Sequence, residues 1–225
     1  DEHTRPISRA IRYEPALPLW SNGSDKERWL LLPPGARIDN ARREHWEFPV
    51  GTLFFKTFSF EDAPEPLRVE TRIIRRTEDG WDYHTYQWRG ADADLLSLEF
   101  ELPVKIEREG EPSFEHAIPS RLDCRSCHES NETVVIGFDE LRLAAAADGE
   151  PSQLESLAGL GIFEHDVPNE PKRIASDDGQ TGRVLGYLHG NCAHCHNRSA
   201  NTMSPLDLDH RRALANLIDV PTQGS

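Results

Sequence analysis

The chain has 225 residues, 37% of them hydrophobic and 28% charged, with a mean hydropathy of −0.63. Its 39 acidic and 25 basic residues give a formal charge of −14, which argues against nucleic-acid binding, since that needs a basic face, and no run approaches the ~18 apolar residues of a membrane span. This length suits one large domain or two small ones and can bury a core without covalent staples, so the four cysteines are not needed as a disulfide framework.

Residues 1–50 are rich in Pro, Trp and charge. Within them, Pro18 to Arg28 (Pro-Leu-Trp-Ser-Asn-Gly-Ser-Asp-Lys-Glu-Arg) reads as a hydrogen-bonded structural loop with turn signals. From Gly51 the pattern turns to β: Thr52–Phe60 and Val69–Arg76 are strand candidates, Glu78-Asp79-Gly80 supplies a turn, and Trp81–Trp88 is dense in aromatics. Leu96, Leu98, Phe100, Leu102, Val104 and Ile106 alternate with polar residues, and this strict period of two predicts one long half-buried strand. Pro103 on its polar face marks an edge or a bulge. Residues ~45–110 thus read as an antiparallel sheet whose aromatics fill a core.

After Pro119 the prediction is helical. Phe138–Ala147 is a strong helix former. Ser152–Leu160 has Ser152 as N-cap, Glu155 completing a capping box and Gly161 as the stop. Thr181–His196 and His210–Ile218 are the remaining helix candidates. The fold class expected is therefore α+β. An antiparallel β-rich domain (1–115) precedes a mainly α-helical, loop-rich domain (116–225).

The second half contains two short motifs, Cys124-Arg-Ser-Cys127-His128 and Cys192-Ala-His-Cys195-His196, which together use every cysteine. A Cys-x-x-Cys-His run is a c-type haem attachment signal, so residues 116–225 are expected to form a cytochrome c-like domain that carries two haems. Two thiols on one helical turn can add to the two vinyl groups of a single haem, and the following histidine is carried under the ring to bind iron. A tetrahedral zinc site is the weaker reading. Its two Cys-x-x-Cys pairs are usually separated by about 15–20 residues, far fewer than lie between Cys127 and Cys192, and four thiolates have no use for a histidine after each pair. A thioredoxin-like motif requires a βαβ pattern, which is not legible here. Because c-type haem is attached outside the cytoplasmic membrane, the motifs imply a periplasmic or extracellular protein. The start at Asp1-Glu2-His3 then reads as a processed N-terminus, or an expression boundary, with the export signal removed.

Several runs resemble those of a bacterial family of exported dihaem c-type cytochromes. They are Pro18–Arg28, Trp46–Thr52 (Trp-Glu-Phe-Pro-Val-Gly-Thr), Glu70-Thr71-Arg72, Tyr86-Gln87-Trp88, Ile118-Pro119-Ser120-Arg121 and Asn191–His196. The resemblance implies an architecture and two covalent haems more than a particular reaction; some members are appendages of sugar-dehydrogenase-like proteins. Two departures stand out. Glu140-Leu141-Arg142-Leu143 replaces the family's Gln-Leu-Asn stretch. The chain also reaches Ser225 without the Met-Pro segment that could supply an axial methionine in relatives.

His128 and His196 are the proposed proximal iron ligands. The candidates for the far side of each iron are His116, His165 and His210, which lie in the haem-bearing half, and Met203. Met203 would have to wrap round the ring edge, and a packing role suits it better. His189 and His194 are judged too close to the second motif to serve its own haem. Filled axial positions make an electron carrier, whereas an open iron binds and activates small molecules.

The function expected is electron transfer without catalysis, to and from redox protein partners steered by the acidic surface. Molecules could stack so that the haems form a chain through a homo-oligomer or filament. The alternatives are a dihaem peroxidase-like enzyme with one open iron, and a cytochrome module whose β-rich half docks on a dehydrogenase.

Overall fold

The computed structural model describes residues 8–43, 45–108, 110–131, 133–144, 151–199 and 204–221. Six antiparallel strands form one meandering sheet in sequence order: β1 (Ile11–Arg12), β2 (Asp25–Leu31), β3 (Leu53–Phe60), β4 (Leu67–Thr77), β5 (Gly80–Arg89) and β6 (Asp92–Leu96). A separate hairpin pairs β7 (Leu102–Ile106) with β8 (Phe114–Ile118). The expected antiparallel β-rich architecture is present. β3, β4 and β5 fall on the predicted runs, and the tight β4–β5 turn closes on Gly80, opposite Thr77 at a φ of 143° that glycine tolerates.

Two strand expectations are corrected. The segment Asp25–Arg28, read as loop, begins β2. The single long strand over 96–106 is broken: β6 ends at Leu96, β7 starts at Leu102, and the two belong to different sheets. The periodicity was misleading because Leu96, Leu98, Leu102 and Val104 all pack against one cluster of Phe60, Val69, Ile106 and Ile118, so a shared apolar target preserves the alternation without continuous pairing. Phe100, at the break, is 80% exposed.

The mainly helical, cytochrome c-like half is also corrected. Its helices are short: α1 (Arg121–His128), α2 (Glu140–Leu143), α3 (Gln153–Gly159), α4 (Gly179–Asn191) and α5 (Ala213–Leu217), and the rest of the described region is loop. α3 has the predicted Ser152–Glu155 capping box, with Gly161 at a φ of 70° beyond its end. The helix expected over 138–147 amounts to α2 alone, residues 145–147 lying outside the described set. α4 stops at Asn191 instead of continuing through the second motif.

Short helices supply little apolar surface, and the principal core is accordingly shared across the sequence. Tyr13, Leu30, Trp46, Phe48 and Phe54 cluster with Val135, Phe138, Leu143, Leu154, Leu157 and Phe163, so this core draws on both sides of residue 115. Phe138 is its hub, meeting Tyr13, Trp46, Phe48 and Phe54 at centroid separations of 4.9, 5.8, 6.0 and 5.5 Å in edge-to-face geometry, the arrangement aromatic quadrupoles favour. The loop after α3 is tied to the N-terminal region by Ile38 N–H donating to Ile162 O (2.8 Å) and Glu164 N–H donating to Ile38 O (2.9 Å).

Candidate site at the two Cys-x-x-Cys-His motifs

The first motif lies on α1. Ser120 caps this helix, and its hydroxyl and backbone N–H both engage the Asp123 carboxylate, completing a capping box. These bonds hold the Asp123 carboxyl below the usual range. Within a regular helix, positions i, i+3 and i+4 share a face, so Cys124, Cys127 and His128 are presented together. α1 packs on β5, where the Tyr83 ring lies 5.7 Å from that of His128. The His128 Nδ1 is 2.7 Å from Val134 O; it donates there, which leaves the Nε2 lone pair available to a metal. Burial pushes the His128 pKa down to about 4, so the ring is neutral at physiological pH, as a ligand must be.

The second motif has a different support. α4 is N-capped by Asp178 and C-capped by Cys192, where the motif forms a turn: Cys195 N–H and His196 N–H both donate to Cys192 O, at 3.1 and 2.8 Å. Glycine is needed where α4 meets the strap around Leu17. A Cβ on Gly190 would come within 2.9 Å of Leu17 O, and one on Gly186 within 3.0 Å of Leu17 Cδ2. Trp20 N–H donates to Asn191 Oδ1 (2.7 Å), securing the same strap. The Pro18–Arg28 run therefore has a structural part: it positions the end of α4.

The fold brings the two motifs together. Ligand atoms of Cys127, His194 and Cys195 all lie within 4.8 Å of one another. Asn131 bridges the motifs, its Nδ2 donating to Cys127 O (3.1 Å) and His194 O (2.9 Å), and Asn197 Nδ2 donates to Asn131 Oδ1 (3.0 Å). Sequence reasoning missed both asparagines; the available signal was their position, close behind the histidine of each motif. Burial pushes the Cys124 and Cys127 thiols up, with Cys195 adding to the effect at Cys127. Raised thiols are the reverse of what a nucleophilic or thioredoxin-like cysteine requires.

The other candidate ligands have separate surroundings. His116 is buried between the Phe58 and Phe60 rings, each centroid 5.7 Å away, with Nε2 2.8 Å from Glu70 Oε1. His165 is on the surface with Nε2 3.6 Å from Asp39 Oδ1, its backbone clamped by the Asn40 side chain. His210 stands edge-on to His189 at 5.0 Å. Both line a cavity of about 790 Å³ together with His194 and Arg142, a size within the ~300–1,000 Å³ range of cofactor pockets. Burial lowers the pKa of all three histidines, that of His189 to about 4. Met203 lies outside the described residues.

The residues fit the attachment of haem in donor chemistry, and those of the first motif also in their alignment on one helix. Each motif offers two unbridged thiols, α1 aligns its three attachment residues, and the His128 tautomer is set for metal binding. Around the second motif, the Nδ1 atoms of His189, His194 and His196 are buried without a hydrogen-bond partner among the described residues, and such orphaned groups in a native fold call for an explanation. No helix among the described residues is long and apolar enough to cross a membrane. No family model, no curated protein and no solved structure matches the chain.

Proposed function

We propose that this protein is a two-haem c-type cytochrome that transfers electrons outside the cytoplasmic membrane. The observation that carries this reading is the meeting of two complete Cys-x-x-Cys-His motifs at one junction, with Cys127 beside Cys195. Cys124 and Cys127 would hold one haem by adding their S–H bonds across its vinyl groups, Cys192 and Cys195 the other. When bound, each haem supplies a one-electron Fe(III)/Fe(II) couple. His128 and His196 would each hold the iron of the haem on their own motif, and Val134 O orients His128 and raises its basicity. Neighbouring Cys127 and Cys195 bring the two attachment points close enough for electrons to pass within the molecule. The net charge of −14 favours basic redox proteins as donors and acceptors, through steering that weakens with salt.

Electron paramagnetic resonance of the fully oxidised protein, with matching visible absorption, tests the reading. Two low-spin ferric signals are expected, with g-values that separate His/His from His/Met ligation. A high-spin component would favour the peroxidase-like alternative with an open iron. Absence of any haem signal would overturn the proposal.

One observation supports a second reading. Cys127, His194 and Cys195 already form a three-donor soft cluster of the kind that holds zinc. Stoichiometric zinc in haem-free purified protein would favour it.

A further inference from the structure

The 790 Å³ cavity walled in part by α2 and α4 has a charge opposite to that of the chain. Six arginines and one lysine line it against three carboxylates, those of Asp139, Glu140 and Asp209. A fourth carboxylate, Asp207, pairs with Arg198 and Arg212. Among the described residues the cavity keeps a surplus of three positive charges, in a chain whose net charge is −14. Burial lowers the pKa of His189, His194 and His210, and Arg142 adds to the effect at each, so all three are neutral above pH ~6.5. The surplus therefore belongs to groups that stay charged. A concave surface of one sign focuses its field and concentrates ions of the other.

Two of these cations have distinct places. Arg142 is the most enclosed, at 9% exposure, and it is held from two sides: Nη1 donates to Asp139 Oδ2 (2.5 Å) and Nη2 to His189 O (3.3 Å). Arg173 is exposed and has no ion-pair partner among the described residues.

The rest of the wall narrows the kind of anion. Val135, Ile136, Leu141 and Leu185 give the cavity an aliphatic side, and no aromatic ring lines it among the described residues. It therefore lacks the flat apolar surface on which a nucleobase would stack. Nor does a helix N-terminus open into it as a phosphate cradle. The start of α2 is taken by the Asp139 carboxylate, which accepts from Arg142 N–H (3.0 Å). α4 contributes Leu185 and His189 from its C-terminal half, where the helix dipole is negative. Guanidinium forks, by contrast, match carboxylates at two points.

The cavity is also separate from the attachment residues. Ala193, His194 and Asn197 line it, whereas none of the four cysteines, His128 or His196 does.

We propose that this cavity binds an aliphatic di- or tricarboxylate, with Arg142 receiving one carboxylate in the interior and Arg173 another at the exposed edge. The site stands whether or not the motifs carry haem.

Calorimetric titration of the full-length protein, as purified, with succinate, malate and citrate at constant ionic strength tests the proposal. At least one acid should bind saturably, at one site per chain. Arg142→Gln should weaken that acid about tenfold, as expected for one charge-assisted contact. Arg173→Gln, at an exposed position, should weaken it about threefold and leave the melting temperature of the free protein unchanged. Saturable binding by none of the three acids, or unchanged affinity in every folded variant, would overturn the proposal. Inorganic phosphate binding as tightly as the best acid would overturn the carboxylate assignment, since the cavity would then be a general oxyanion site.

Discussion

The two motifs share a five-residue pattern and differ in everything that supports it. The first sits on a capped helix laid on a sheet, with its histidine tautomer fixed by Val134 O. The second follows the end of α4 in a turn, and the Nδ1 of its histidine is buried without a partner among the described residues. A short motif can specify chemistry without specifying conformation. The geometry comes from the scaffold, here a rigid sheet face in one case and a close-packed glycine helix end in the other.

The difference can be broken most completely at the cysteines. Replacing both Cys192 and Cys195 by Ser should remove one haem and leave the first, because α1 and its cap do not depend on the second pair; loss of both haems by intact mass would show the motifs to be interdependent. A smaller effect is expected at Gly190, where the Cβ of Gly190→Ala would press on Leu17 O. Overpacking of this kind costs about 1–3 kcal/mol, and denaturant unfolding should show it, with the spectrum of the second site perturbed more than that of the first.

Proton linkage sharpens the same contrast. His189, near the second motif, has a folded pKa of about 4, lowered by burial and then by Arg142 and His210, against ~6.5 in an unfolded chain. Above pH ~6.5 neither state is protonated there. Between about 6.5 and 4 only the unfolded state takes up the proton, so stability falls as pH falls. Unfolding free energies measured across this window should decline less steeply in His189→Gln. The smallest effect belongs to the first motif: Ser120→Ala removes the α1 cap, worth about 1 kcal/mol, and should lower the melting temperature slightly without loss of haem.

What the sequence made legible was local. The β3–β5 strands, the Gly80 turn and the Ser152–Glu155 capping box are set by neighbours in the chain, so pattern and propensity find them. Three features were set by distant contacts and could not be read. Phe138, placed in a predicted helix, is the hub of a core built mainly from residues far away in sequence. Leu96–Ile106 keeps a strand's alternation because one cluster receives its side chains on both sides of a break. Asn131 meets His194 only when the motifs converge. The two motifs were legible from spacing alone; the meeting of Cys127 with Cys195 required the fold.

The central claim is that both motifs carry covalent haem, and intact mass spectrometry of the denatured mature protein tests it most directly. The account predicts a chain heavier by two haems, with none of its four thiols open to alkylation. A bare-chain mass with four alkylatable thiols would contradict it.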